Sequence, residues 1–94
     1  MFDDCAALRA DYRAARAEVD RLTEEGVPDG PIFERAVDKE INARDKLEEA
    51  QCANDGEVIE NLACAYEVIG HDPVEWRETA AAIVERYLKV RQAA

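Results

Sequence analysis

From Cys5 to Leu22 the apolar residues fall in steps of three and four without a miss: Cys5, Leu8, Tyr12, Ala15, Val19, Leu22. That rhythm holds one narrow stripe on one side of an α-helix, the pattern used where two helices pair lengthwise. A strand cannot use it, because strand side chains alternate between two faces. Asp3 or Asp4 is a suitable N-cap and Gly26 a suitable residue just past the C-terminus, which bounds the first helix. A second row, Ala7, Ala10, Ala14 and Ala17, lies well round the helix from the stripe. Small side chains there would let another backbone approach, so this row is the candidate face for a homodimer.

The segment Gly26-Val27-Pro28-Asp29-Gly30-Pro31 reads as a tight connection, with Pro31 in the first turn of a second helix running to about Ala53. Ile32, Phe33, Ala36, Val37, Ala43, Leu47 and Ala50 fall on one broad arc of that helix. Glu40 and Arg44 fall within the same arc at i, i+4. They would either snorkel at the edge of the interface or form a polar pair that fixes register. Two long amphipathic helices joined by a short loop form an antiparallel hairpin. Closing the loop between Gly26 and Pro31 makes opposed residues sum to about 57 in number, a relation that Cys5 and Cys52 meet. The two cysteines should therefore face each other at the open end, and Leu22 should pack near Phe33 at the closed end.

Asn54-Asp55-Gly56 breaks this helix and starts a third, with an apolar stripe of Val58, Ile59, Leu62, Ala63, Tyr66 and Ile69, ending at Gly70. Its opposite face carries Glu57, Glu60, Asn61 and Glu67. Asp72-Pro73-Val74-Glu75 combines an N-cap, a first-turn proline and a carboxylate at N3, so a fourth helix runs from Pro73 to about Gln92. Trp76, Ala80, Ile83, Val84, Tyr87 and Leu88 are its expected buried face. The expected fold is all-α with four helices: a long hairpin over 1–53 and a shorter helical pair over 56–92, one domain of 94 residues.

Several function classes are disfavoured by the residues themselves. There is no serine, so serine-based triads are out. The single histidine, His71, sits in a turn and lacks the paired Glu-x-x-His pattern of di-iron bundles. The glycines are isolated and build no phosphate loop. Cys5, Cys52 and Cys64 have neither zinc-site nor redox-motif spacing and read as small buried thiols in a reducing compartment. No enzyme, metal or cofactor is expected. The chain has no apolar run of spanning length, and Met1-Phe2-Asp3-Asp4 is acidic where a secretory signal is basic, so the expected location is cytoplasmic. A net charge of −10 disfavours direct contact with nucleic acid or anionic membrane.

The charge is uneven. Between Leu47 and Trp76 lie eight carboxylates and no lysine or arginine, whereas Arg9, Arg13, Arg16 and Arg21 alternate with acids earlier on. One explanation is a solvated helix face. The other is a docking surface centred on Glu48, Glu49, Asp55, Glu57, Glu60 and Glu67 for a basic protein, such as a nucleic-acid-binding complex, with helical carboxylates imitating backbone phosphates. In size, charge and helicity the chain resembles many phage-encoded inhibitors, including anti-CRISPR proteins and DNA mimics; no motif carries the resemblance. The expected function is thus a non-enzymatic inhibitor or regulator, with a homodimeric adaptor built on the alanine row as the alternative.

Overall fold

A computed structural model describes residues 1–26 and 29–93, so Val27 and Pro28 of the expected tight connection lie outside the described residues. Among the described residues four helices account for the secondary structure: α1 Cys5–Glu24, α2 Pro31–Glu48, α3 Asp55–Ile69 and α4 Pro73–Ala93. The all-α expectation holds. α1 and α2 form the long hairpin; α3 packs on α1 and α4 on α2, giving a body of 48 × 26 × 17 Å.

The caps foreseen from sequence are in place. Asp4 Oδ1 accepts from Ala7 N, Asn54 Oδ1 from Glu57 N, and Asp72 Oδ1 from both Val74 N and Glu75 N, which stabilises three helix starts. Gly26 and Gly30 both take positive φ, 75° and 97°, a region costly for any residue with a Cβ. The register also holds. Cys5 Sγ and Cys52 Sγ lie 3.7 Å apart in the core, and Leu22, Ala36 and Phe33 share one cluster at the closed end.

Three expectations are corrected. First, α2 stops at Glu48 instead of about Ala53. Nothing in Glu49-Ala50-Gln51 opposes a helix; tertiary bonds end it. Asp3 N donates to Gln51 O at 3.0 Å and Gln51 N to Asp3 Oδ2 at 2.8 Å, while Ala50 and Cys52 are drawn into the core. Second, α3 is rotated from its expected phase. Ile59 and Tyr66 are 63% and 62% exposed and Ala63 is exposed, while Asn61, placed on the outer face, is fully buried. This helix is apolar nearly all round, so periodicity could not choose its phase. Arg9 chooses it, donating to Asn61 Oδ1 at 2.7 Å, while Asn61 Nδ2 donates to Cys52 Sγ at 3.3 Å. Both ends of a buried amide are thereby satisfied. Third, Ile32 on α2 and Val84 and Leu88 on α4 are exposed, and Thr79 is buried instead, its hydroxyl donating to Glu48 Oε2.

Glu40 and Arg44 are not paired with each other. Arg16 of α1 donates to Glu40 at 3.2 Å, and Arg44 donates to Glu75 of α4. The two residues stitch α2 to two different helices. Burial is the largest single influence on Arg44 and works against its charge, but the hydrogen bond to Glu75 and the charges of Glu75 and Glu48 together outweigh it, leaving the guanidinium above its ordinary pKa.

Cover is unequal along the hairpin. Towards its open end Tyr12, Ala43, Leu47, Cys64, Val68 and Ile69 form a core shared by three helices, with Trp76 of α4 packed against it. Towards the loop the cluster of Val19, Leu22 and Ala36, with Phe33 and Val37, contains α1 and α2 residues alone. The closed end is a two-helix overhang.

Candidate interaction surface

The six carboxylates expected to form one unneutralised flank have mostly internal partners. Arg9 donates to Glu57 at 2.9 Å and Arg13 to Glu67 at 2.7 Å, both reaching from α1 to α3. Asp55 accepts from Tyr87 at 2.5 Å and from Arg91 at 3.3 Å, both on α4. Glu48 accepts from Thr79 at 2.7 Å. Of the remaining acids of the block, Glu75 pairs with Arg44 and Asp72 caps α4. Among the described residues, only Glu49 and Glu60 of the six have no such partner. The expectation of an uncompensated block is therefore corrected. The missing bases are present, but on α1, α2 and α4, brought over by the tertiary fold. Chain-local charge counting could not see them.

These contacts are worth different amounts. Arg9 and Glu57 have side chains 11% and 35% exposed, whereas Arg91 and Asp55 are 64% and 74% exposed, where solvent screens most of the attraction. The α1–α3 contact is the structural one.

Unpaired charge collects instead on α2. Glu34, Asp38 and Asp45 lie on one side of the helix, followed by Glu49 at its cap, and all are exposed. None is in an ion pair among the described residues. Glu34 and Asp38 stand at i, i+4, as do Arg35 and Lys39, an arrangement of like charges that weakens a helix by a few tenths of a kcal/mol per pair. α1 does the opposite, pairing Arg16 with Asp20 at 3.1 Å and Arg21 with both Glu18 and Glu25. The like-charge spacing on α2 is readable in the sequence and marks residues that block-wise counting passes over.

Beside this acidic row runs an apolar one. Phe33, Val37 and Ile41 repeat every four residues on the side of α2 that carries Arg44 and Glu48, the residues that reach α4. α4 begins at Pro73, and its first-turn Glu75 meets Arg44, so among the described residues no helix lies across the row towards the loop. Phe33 and Val37 are half-buried and Ile41 is 40% exposed. A shallow depression of about 320 Å³ lies here, lined by Asp29, Gly30, Phe33, Glu34, Val37 and Asp38.

Ala7, Ala10, Ala14 and Ala17 are all exposed, with Ala14 at the edge of a groove shared with α2 and Ala17 at the edge of one shared with α3. Trp76 and Tyr87 are half-buried, the Trp76 ring edge-on to Tyr66 with centroids 5.5 Å apart. Two buried polar atoms, Tyr12 Oη and Trp76 Nε1, have no hydrogen-bond partner among the described residues. Burial pushes the Tyr12 hydroxyl up to about 12, with Glu40 and Glu75 adding to the shift and Arg44 opposing it. Burial likewise pushes the Cys52 thiol up to about 12, reinforced by its contact with Cys5, so the Cys52 thiol is a packing group more than a nucleophile. Among the described residues no group of three His, Cys, Asp or Glu side chains could hold a metal ion, and no helix is long and apolar enough to cross a membrane. No protein-family model matches this chain, and comparison with curated proteins and with solved structures finds no match.

Proposed function

We propose that this protein is a non-enzymatic interaction module, an inhibitor or regulator in kind, which engages a basic protein partner through exposed carboxylates. One observation carries the reading. Among the described residues, ion pairs engage seven of the twelve bases but only nine of the twenty-two acids, and a further four acids, Asp3, Asp4, Glu48 and Asp72, accept hydrogen bonds, which leaves nine carboxylates without a partner in the chain. On α2 the free ones stand at like-charged spacing that costs the helix stability, which a cationic partner would relieve. The surface is re-centred accordingly: Glu34, Asp38 and Asp45, with Glu49 and Glu60 retained from the acidic block. Carboxylates in a row on a rigid helix suit the basic groove of a nucleic-acid-binding protein, which is the DNA-mimic form of the same reading. Steered association of this kind is fast and weakens with salt.

Affinity capture at low and high salt, read by mass spectrometry, tests it. The expected partner is basic, elutes with salt, and is lost when Glu34, Asp38 and Asp45 become Gln while thermal unfolding is unchanged. A partner indifferent to both salt and the Gln variant sinks the reading.

A second reading, a homodimeric adaptor packed through Ala7, Ala10, Ala14 and Ala17, is favoured by the exposure of all four positions. Sedimentation should then show a dimer that Ala10→Arg dissociates; a wild-type monomer at high concentration removes this reading.

A further inference from the structure

The overhang at the closed end of the hairpin combines two features that belong together in a helix-binding groove. Phe33, Val37 and Ile41 form an apolar row about 12 Å long at the α-helical rise. It lies on the side of α2 that α4 covers further along, at Arg44 and Glu48. Four-helix layers are closed by burying such rows, and among the described residues the last stretch of the row has no covering helix. The rim beside it is acidic: Asp29, Glu34 and Asp38 line the depression together with Phe33 and Val37. No arginine or lysine of the described residues pairs with any of the three. The bases nearest in sequence, Arg35 and Lys39, project from the other side of α2; Lys39 lines the opposite groove, with Asp11, Ala14 and Glu18 of α1.

From this we infer that the overhang is a docking groove for a partner's amphipathic helix with a basic flank, which lies across Phe33, Val37 and Ile41 as a short continuation of the α4 layer. The inference rests on the interaction-module reading above and narrows it to one place and one kind of partner. Apolar side chains at i, i+3 or i+4, and i+7 of the incoming helix seat on the three α2 residues. Its lysines or arginines face Asp29, Glu34 and Asp38. Charge decides the occupant. A second copy of this chain would bring a further acidic rim to an acidic rim, and an acidic helix would be repelled. A basic but unfolded chain would satisfy the carboxylates and leave the apolar row wet. The site therefore demands both properties in one segment.

The experiment uses the full chain and two defined probes, a fluorescein-labelled 14-residue leucine–lysine peptide patterned as an amphipathic helix, and unlabelled polylysine as competitor. Fluorescence anisotropy should give saturable binding of the peptide that weakens at least tenfold between low and high salt. Ile41→Asp should weaken it at least tenfold, and the double variant Glu34→Gln, Asp38→Gln at least fivefold. Both changes sit on exposed positions, and circular dichroism melting identifies a variant that has failed to fold. Polylysine should compete poorly. If the peptide binds and is insensitive to Ile41→Asp and to the double variant, yet is lost with Glu49→Gln, Glu60→Gln, the groove is overturned while the basic-partner reading stands. If neither probe binds, both fall. If sedimentation shows self-association that Ile41→Asp dissociates, the occupant is a second copy and the inference is overturned.

Discussion

At the open end of the α1/α2 hairpin, Cys5, Tyr12, Ala43 and Leu47 are sealed by a second pair of helices, whereas at the closed end Val19, Leu22 and Ala36 have only two half-buried neighbours. The same two helices use their charges differently in the two places. In the sealed half, Arg9, Arg13 and Arg44 reach across to α3 and α4, and Arg16 spans from α1 to α2. In the overhang, the pairs are local to α1, and α2 keeps Glu34 and Asp38 unpaired among the described residues. Tertiary cover decides the kind of ion pair: in the sealed half the pairs cross between helices, and in the overhang they stay within a turn of α1. Unpaired carboxylates occur in both places, Glu34 and Asp38 in the overhang and Asp45, Glu49 and Glu60 elsewhere, among the described residues.

The largest expected effect tests the packing half of that contrast. Leu47→Ala, at a position 1% exposed, should cost about 3 kcal/mol in urea unfolding, and Leu22→Ala in the overhang roughly half as much, because a two-helix site can collapse around the lost volume. Equal losses would mean that the closed end is packed as firmly as the open one. Next comes the charge that ties α4 down. Arg44→Gln leaves Glu75 part-buried without its partner and should cost roughly 2 kcal/mol, somewhat less than breaking a fully buried pair. A double-mutant cycle with Glu75→Gln should return a coupling of about 1 kcal/mol; zero coupling would reduce the bridge to a surface contact.

Alkaline pH should weaken the sealed half selectively. Tyr12 and Cys52 are held neutral in the folded state, with folded pKa values raised to about 12. In the unfolded chain they ionise at their ordinary values, about 9 for the thiol and 10 for the phenol. A raised folded pKa means that the stability contribution is complete below the unfolded value and is lost as pH rises through the folded one. Stability measured by urea titration should thus fall between about pH 9 and pH 12. Tyr12→Phe should remove the upper part of that fall and cost little at neutral pH, since the hydroxyl it deletes has no partner. An alkaline fall left unchanged by Tyr12→Phe would contradict the assigned burial of the Tyr12 hydroxyl. The smallest effect belongs to the overhang: Asp38→Lys replaces a like-charge neighbour of Glu34 by an attractive one and should stabilise the protein by a few tenths of a kcal/mol. Destabilisation by that change would show that Asp38 already has a role within the fold.

Much of the architecture was readable before any coordinates. The three-and-four rhythm of α1, the caps at Asp4, Asn54 and Asp72, and the register that joins Cys5 to Cys52 all depend on neighbours within a few residues or on loop length alone. The surface was harder. Eight acids in an uninterrupted block looked uncompensated because Arg9, Arg13, Arg44 and Arg91 lie far from them in sequence. The rotation of α3 was equally hidden, since Ile59 is as apolar as Val58 and Ile69 and the Tyr66 ring suits either face, and a buried Asn61 is invisible without knowing that Arg9 and Cys52 surround it.

Local chemistry therefore determined the helices, their starts and the antiparallel pairing, because backbone capping and apolar periodicity act over one or two turns and need no information from elsewhere. Tertiary structure alone decided where α2 stops, which face of α3 is inside and which carboxylates are free. Each of those outcomes is a competition between groups distant in the chain, settled by the bonds that Asp3, Arg9 and Arg44 make across it.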